Sequence, residues 1–199
     1  NAADPAGTID VDGENVVLTN QYDPDGITIN TTYPAISIDV HKDLRNAAGA
    51  NIDWPATASF TFNLLRYVPA TGTEAAKWEA TGKSVTLDYD DYAAAKGSSA
   101  EVVEVVSDEL SLDGISFDKA GDYLFRLSEV DAHALGMTYD TTDHDFRVIV
   151  TDGNLDGVLE ISKVEVIDPE TNLEQDQTGN WEIGATYINV YQVGTASLS

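Results

Sequence analysis

The chain contains no cysteine. Disulfides, thiolate metal sites and cysteine nucleophiles are therefore excluded. The count leaves the compartment open, because many secreted bacterial proteins also lack cysteine. Basic residues are scarce as well: ten Lys and Arg stand against 35 Asp and Glu, a formal charge of −25. A surface this acidic repels phosphate, so neither nucleic acid nor an anionic membrane surface is expected as a partner. Such acidity suits solubility, exposure or cation binding. No run of 18 apolar residues occurs, which argues against membrane insertion by this chain. The opening residues "NAADPAGTID" lack the charged and apolar regions of a signal peptide and read as the start of a mature or excised piece.

What the chain does have is alternation. Short apolar-alternating runs recur between Gly, Asp, Asn and Pro: "ENVVLTNQY", "ISIDVHKDL", "ASFTFNLLRYV", "KSVTLDY", "GDYLFRLSEV", "HDFRVIVTD", "GVLEISKVEVI" and "ATYINVYQV". These are strand signals with turn punctuation. Only "DYDDYAAAKGSSAEVVEVV" has room for a helical turn or two. Many strands, little helix and no βαβ rhythm predict an all-β protein, an antiparallel Ig-like β-sandwich. The 199 residues suffice for one large domain or two small ones.

Parity singles out three polar residues. Alternate side chains of a strand share a face. Lys42 lines up with Ile36, Ile38 and Val40; Glu129 with Tyr123, Phe125 and Leu127; Asn189 with Tyr187 and Tyr191. An unpaired buried charge costs several kcal/mol or neutralises. Each of the three also sits near the end of its run, where a long side chain can reach water. Parity alone does not bring them together.

The ordered motifs resemble a known family. Lys42-Asp43-Leu44, Phe60-Thr61-Phe62, Gly121 through Glu129, Tyr139-Asp140 with Val148-Ile149-Val150, and Asn189-Val190-Tyr191 follow the pattern of the pilin isopeptide-linkage domain, the FctA-type family with a CnaB-like fold. The resemblance spans about residues 36 to 191. It departs from the family where the last strand usually reads closer to F-T-N-x-Y, and "LTNQY" around Asn20 is the nearer textual match. The stretch from Val68 to Leu112 carries none of the motifs.

The resemblance implies chemistry. Lys42 is the expected nucleophile, Asn189 the electrophile, and Glu129 the proton shuttle of a single-turnover amide bond between side chains, without cofactor or metal. Burial lowers the pKa of a lysine and raises that of a glutamate, so a neutral amine can meet a protonated acid that donates to the Asn189 carbonyl oxygen. Tyr123, Phe125, Tyr187 and Tyr191 are the expected dry wall. The implied protein is structural rather than an enzyme: a stalk or pilin-type domain on the outside of a Gram-positive cell wall, with neighbouring repeats or pilin subunits as partners. The alternative is an adhesin module for a host glycan or protein, with Trp78, Tyr89 and Tyr92 lining a contact surface. A carbohydrate-processing enzyme is a distant third, since no pair among the 35 acids is singled out.

"VVLTNQYDPDGITI" near the start echoes "ATYINVYQVGTASL" at the end, each with an Asn two residues before a Tyr. Residues 1–32 are therefore expected to be a linker or the terminal strand of a preceding repeat, 33–193 the isopeptide-linked sandwich, and 194–199 a tail. Asn20 is the rival partner for Lys42. No LPxTG-like sorting motif occurs. "DGNLDG" (Asp152, Asn154, Asp156, Gly157) imitates a calcium loop, but Lys163 stands where the closing acid belongs, and a turn is the expected reading. The acidic runs "LDYDDY" and "TTDHD" read as solvated surface. His41, facing opposite to Lys42, is expected outward. His144 reads as part of a turn, and with His133 the histidines form no metal or hydrolase set.

Overall fold

The computed structural model describes residues 7–12, 15–20, 27–28, 35–153 and 158–192. In chain order the strands are β1 (Gly7–Asp12), β2 (Asn15–Asn20), β3 (Ile27–Thr28), β4 (Ile36–Arg45), β5 (Ser59–Val68) and β6 (Lys77–Asp88). A helix, α1 (Tyr89–Lys96), follows. The chain continues with β7 (Val105–Ser111), β8 (Ser116–Phe117), β9 (Gly121–Glu129), β10 (Met137–Thr138) and β11 (His144–Thr151). It ends with β12 (Glu160–Val166), β13 (Asn172–Gln175) and β14 (Trp181–Tyr191).

Two sheets make a β-sandwich. One runs β10-β14-β4-β7, with β13 also on β14; the other runs β12-β11-β9-β5-β6. Period-two burial builds the space between them. Ile36, Ile38, Val40 and Leu44 of β4 and Trp181, Ile183, Ala185 and Tyr187 of β14 are buried from one side. Phe60, Phe62 and Leu64 of β5, Phe125 and Leu127 of β9, and Phe146, Val148 and Val150 of β11 close it from the other. Phe125 stacks on Phe146 with centroids 5.5 Å apart, and Phe62 packs on Tyr187 at 4.8 Å.

One pairing departs from the antiparallel expectation. β4 and β14 run parallel, in register from Ile36 opposite Trp181 to Arg45 opposite Val190. A parallel pair needs a long crossover, and here the crossover is nearly the whole sandwich. The chain therefore enters β4 at one pole and leaves β14 at the other.

The stretch without motifs resolves into β6, α1 and β7. Asp88 caps α1 by accepting from the main-chain N–H groups of Asp90 and Asp91, and Asp91 returns a bond to the Asp88 N–H. Tyr92 is buried and stacked on Trp54, and both its hydroxyl and Lys96 close on Asp53. Only the first half of the expected helical stretch is helical; "EVVEVV" leads into β7, at the edge beside β4. Towards the N-terminus, β1 and β2 form a hairpin, and β3 pairs with β8.

A tight turn holds the end of β14. Gly136 has φ of +78°, its carbonyl accepts from the Gln192 N–H at 2.8 Å, and an added Cβ would lie 2.4 Å from the Gln192 carbonyl oxygen. Gly136→Ala should therefore destabilise the domain by about 1–3 kcal/mol in urea titration, because strain and backbone clash act together.

Candidate isopeptide site

Lys42, Glu129 and Asn189 come together between the sheets. β4 carries Lys42 inward by the alternation that buries Ile38 and Val40, and β14 does the same for Asn189. Register sets Lys42 opposite Tyr187, with Asn189 next along the same face of β14. Glu129 ends β9 in the facing sheet. The side chains of Lys42 and Glu129 are 0% exposed, and Asn189 is 0% exposed. No side chain here reaches water from a strand end.

One carboxylate joins the other two. Lys42 Nζ donates to Glu129 Oε2 at 2.8 Å, and Asn189 Nδ2 donates to Glu129 Oε1 at 2.6 Å. Asn189 Oδ1 accepts from the main-chain N–H of Asp140 at 2.7 Å. Glu129 thus faces the amide nitrogen, whereas the sequence reading has it donate to the carbonyl oxygen.

The wall also differs from expectation. The Lys42 Nζ lies 4.8 Å from the Phe60 ring centroid, 5.8 Å from Phe62 and 5.9 Å from Tyr187. Tyr123 sits at the other end of β9, on Phe117 and under the Arg66 guanidinium. Phe125 packs on Phe146, and Tyr191 is half-buried at the rim. The F-x-F run of β5 therefore supplies what the aromatic residues of β9 were expected to.

Burial sets the charge states. It pushes the Lys42 ammonium down to about 8, against the opposing pull of Glu129 and Asp140. It pushes the Glu129 carboxyl up, against Lys42 and the Asn189 amide. Both directions favour a neutral amine beside a neutral acid. Burial works the same way on Asp140, but the N–H groups of Ile188 and Thr142 outweigh it and hold that carboxyl below its usual value.

Two residues near the site escaped the sequence reading. Asp140 stands in the Tyr139-Asp140 motif without an assigned role, just before the TTDHD run read as solvated surface, and its carboxylate accepts from Ile188 N at 2.8 Å and Thr142 N at 2.9 Å. His144, read as part of a turn, opens β11 and is 1% exposed. Its Nδ1 is 2.8 Å from Thr171 Oγ1, its Nε2 is 3.2 Å from the Thr186 carbonyl, and its ring stands edge-on to Tyr187. Parity with Phe146, Val148 and Val150 was the signal for its burial. Asp143 and Asp145 of the same stretch pair with Arg126. His41 does face outward, 3.1 Å from Glu104.

The remaining candidates fall elsewhere. Trp78, Tyr89 and Tyr92 do not share a contact surface: Tyr92 is buried, and Trp78 lies under the Arg126 guanidinium and against Tyr67. Residues 154–157 of the calcium-like loop and the side chain of Asn20 lie outside the described residues. No group of three or more potential metal ligands occurs among the described residues. No described helix is long and apolar enough to cross a membrane.

Residues 38–192 match the family FctA, the Spy0128-like isopeptide containing domain. The chain belongs to this family. Among solved structures, the major pilin of Streptococcus pyogenes is similar at 16% identity and a TM-score of 0.45, covering 78% of this chain and 50% of that one. The T-13 major pilin of Streptococcus pyogenes serotype GAS131465 is similar at 15% identity and a TM-score of 0.45, covering 85% and 54%. The FctA-family chain spans about half the length of these pilins. No curated protein sequence matches it.

Proposed function

We propose that Lys42 and Asn189 join in an intramolecular isopeptide bond, formed once per molecule with Glu129 as proton shuttle. The observation that carries this reading is the single buried carboxylate contacting both the amine and the amide nitrogen, at 2.8 and 2.6 Å. The neutral Lys42 amine adds to the Asn189 side-chain carbonyl carbon. Glu129 delivers a proton to the amide nitrogen from one oxygen and collects the amine proton at the other. The carbon–Nδ2 bond breaks, ammonia leaves, and the carbon–Nζ bond remains as a neutral amide. Two potential buried charges disappear with the reaction.

The domain serves as a stalk unit of a bacterial surface protein. Its family supports that role, as does a chain path that enters and leaves at opposite poles, so that units thread end to end. Neighbouring repeats or pilin subunits are its partners. The bond closes a loop of 147 residues between Lys42 and Asn189, which in the chain-entropy account stabilises by about 5 kcal/mol. Pulling force then passes between β4 and β14 through covalent links.

Intact mass spectrometry tests the reading. The purified protein should be lighter than its sequence by one ammonia, about 17 Da, and Lys42→Ala and Asn189→Ala proteins should not be. A wild-type chain at full sequence mass would end the proposal. Peptide mapping should place the branch at Asn189; a branch at Asn20 would reassign the partner.

A further inference from the structure

Asn189 can present either its oxygen or its nitrogen to Glu129, and only one orientation lets Glu129 assist the leaving group. The group that decides is on the far side of the amide. The Asp140 main-chain N–H lies 2.7 Å from the Asn189 side chain. An N–H can face an oxygen but not an NH₂ group, so it fixes Oδ1 on its own side and turns Nδ2 towards Glu129. The same N–H points at the atom that becomes negative when the amine adds.

Asp140 is held for this purpose by its own side chain. β10 pairs with β14 at only two positions, Met137 with Tyr191 and Thr138 with Val190. Beyond them the chain turns away, and the Ile188 N–H of β14 would lose a partner. The Asp140 carboxylate takes it up with Oδ2 while Oδ1 accepts from Thr142 N. One carboxylate thus ties the loop to the strand that carries Asn189, one residue from the reacting side chain. Its charge also favours the protonated form of Glu129, the form the shuttle starts from.

We propose that the Asp140 main-chain N–H is the oxyanion donor of the crosslinking reaction, and that the Asp140 carboxylate is the positioning group that aims it. The proposal rests on the isopeptide reading above. In the reaction the amine lone pair forms the new carbon–nitrogen bond, and the carbonyl electron pair moves onto Oδ1, where the N–H holds it. The pair returns as Nδ2 accepts a proton from Glu129 and departs as ammonia. No other reactant is required.

The test follows bond formation in the full chain made by cell-free synthesis, stopped at intervals and read by intact mass. Asp140→Ala should slow the ammonia loss at least tenfold, towards the 10²–10³ that a lost oxyanion donor costs. Asp140→Asn keeps one acceptor oxygen for the two N–H groups and should recover part of the rate. The unreacted Asp140→Ala protein, once purified, should convert with a pH midpoint no higher than about 8, the value of buried Lys42. Around that amine stand Glu129 from β9, Asp140 from the loop, Asp43 from β4 itself, and the rings of Phe60, Phe62 and Tyr187. A midpoint moved up to that of an ordinary lysine would mean that water has entered a loosened site, and would overturn the positioning role. Asp140→Ala crosslinking at the wild-type rate would overturn it too, leaving the isopeptide reading intact. A wild-type chain that never loses ammonia removes both.

Discussion

Replacing Glu129 by alanine should leave the chain at its full sequence mass and cost more stability than any other single change at the site. Two losses combine. Without the proposed shuttle the bond should not form, removing about 5 kcal/mol of chain-entropy stabilisation. Lys42 then remains 0% exposed as a free amine with its carboxylate partner gone, and an unsatisfied buried polar group costs about 1–3 kcal/mol where the crosslinked wild type holds a neutral amide. At roughly 2–4 °C per kcal/mol for a chain of this size, the melting temperature should fall by tens of degrees. Lys42→Met should be milder, although it also lacks the bond. It places an apolar side chain of similar length among Phe60, Phe62 and Tyr187 and leaves no amine to desolvate. Scanning calorimetry of the three proteins reads both effects. Equal melting of the two variants would show that the buried amine costs nothing once unpaired.

In the Asn189→Ala protein, which cannot crosslink, stability should rise from pH 8 to pH 10.5. Burial depresses Lys42 to about 8 in the folded state, from 10.5 in the unfolded chain. Below pH 8 both states hold the proton, and the folded state bears the cost of a buried cation. Between the two values the unfolded chain keeps a proton that the folded one has released, so unfolding becomes harder as pH climbs. The gain approaches about 3 kcal/mol at the upper end of the window. Glu129 acts with the opposite sign at lower pH. Its folded-state pKa is raised, so its contribution is fully present below the ordinary carboxylate value and fades as pH rises through the raised one. Urea titrations at pH 8, 9 and 10 measure the Lys42 part as the difference between Asn189→Ala and Lys42→Met. The wild type, crosslinked as proposed, should lack it, since an amide nitrogen does not titrate there. Parallel pH profiles for the two variants would contradict a buried neutral amine.

Much of the site could be read from alternation combined with the order of the motifs. Parity placed Lys42, Glu129 and Asn189 on inward faces, because a strand's period of two is blind to what the side chain is. Parity could not say which inward residues meet, since that depends on a β4–β14 pairing across most of the chain. Asp140 was hidden for another reason. Its contribution is a main-chain N–H, which every residue but proline has, and the Tyr139-Asp140 motif does not say what its carboxylate holds. His144 was misread because the acids around it outweighed the alternation that follows. The edge strand β7 was absorbed into a helical reading, since "AAAK" is helical in character and "EVVEVV" follows it closely, although Gly97 between them ends α1.

The parallel pairing of β4 with β14 also orders events in time. The residues paired there stand 145 positions apart, from Ile36 opposite Trp181 to Arg45 opposite Val190. Contacts this distant in sequence form slowly. While the last strand is still missing, Lys42 has no amide to attack and Glu129 has only the lysine to hold. The proposed irreversible chemistry therefore waits until the reversible search is over, and a chain with its final strand misplaced stays uncrosslinked and free to try again. The proposed amide is then a record, kept in the covalent structure, that folding reached its end.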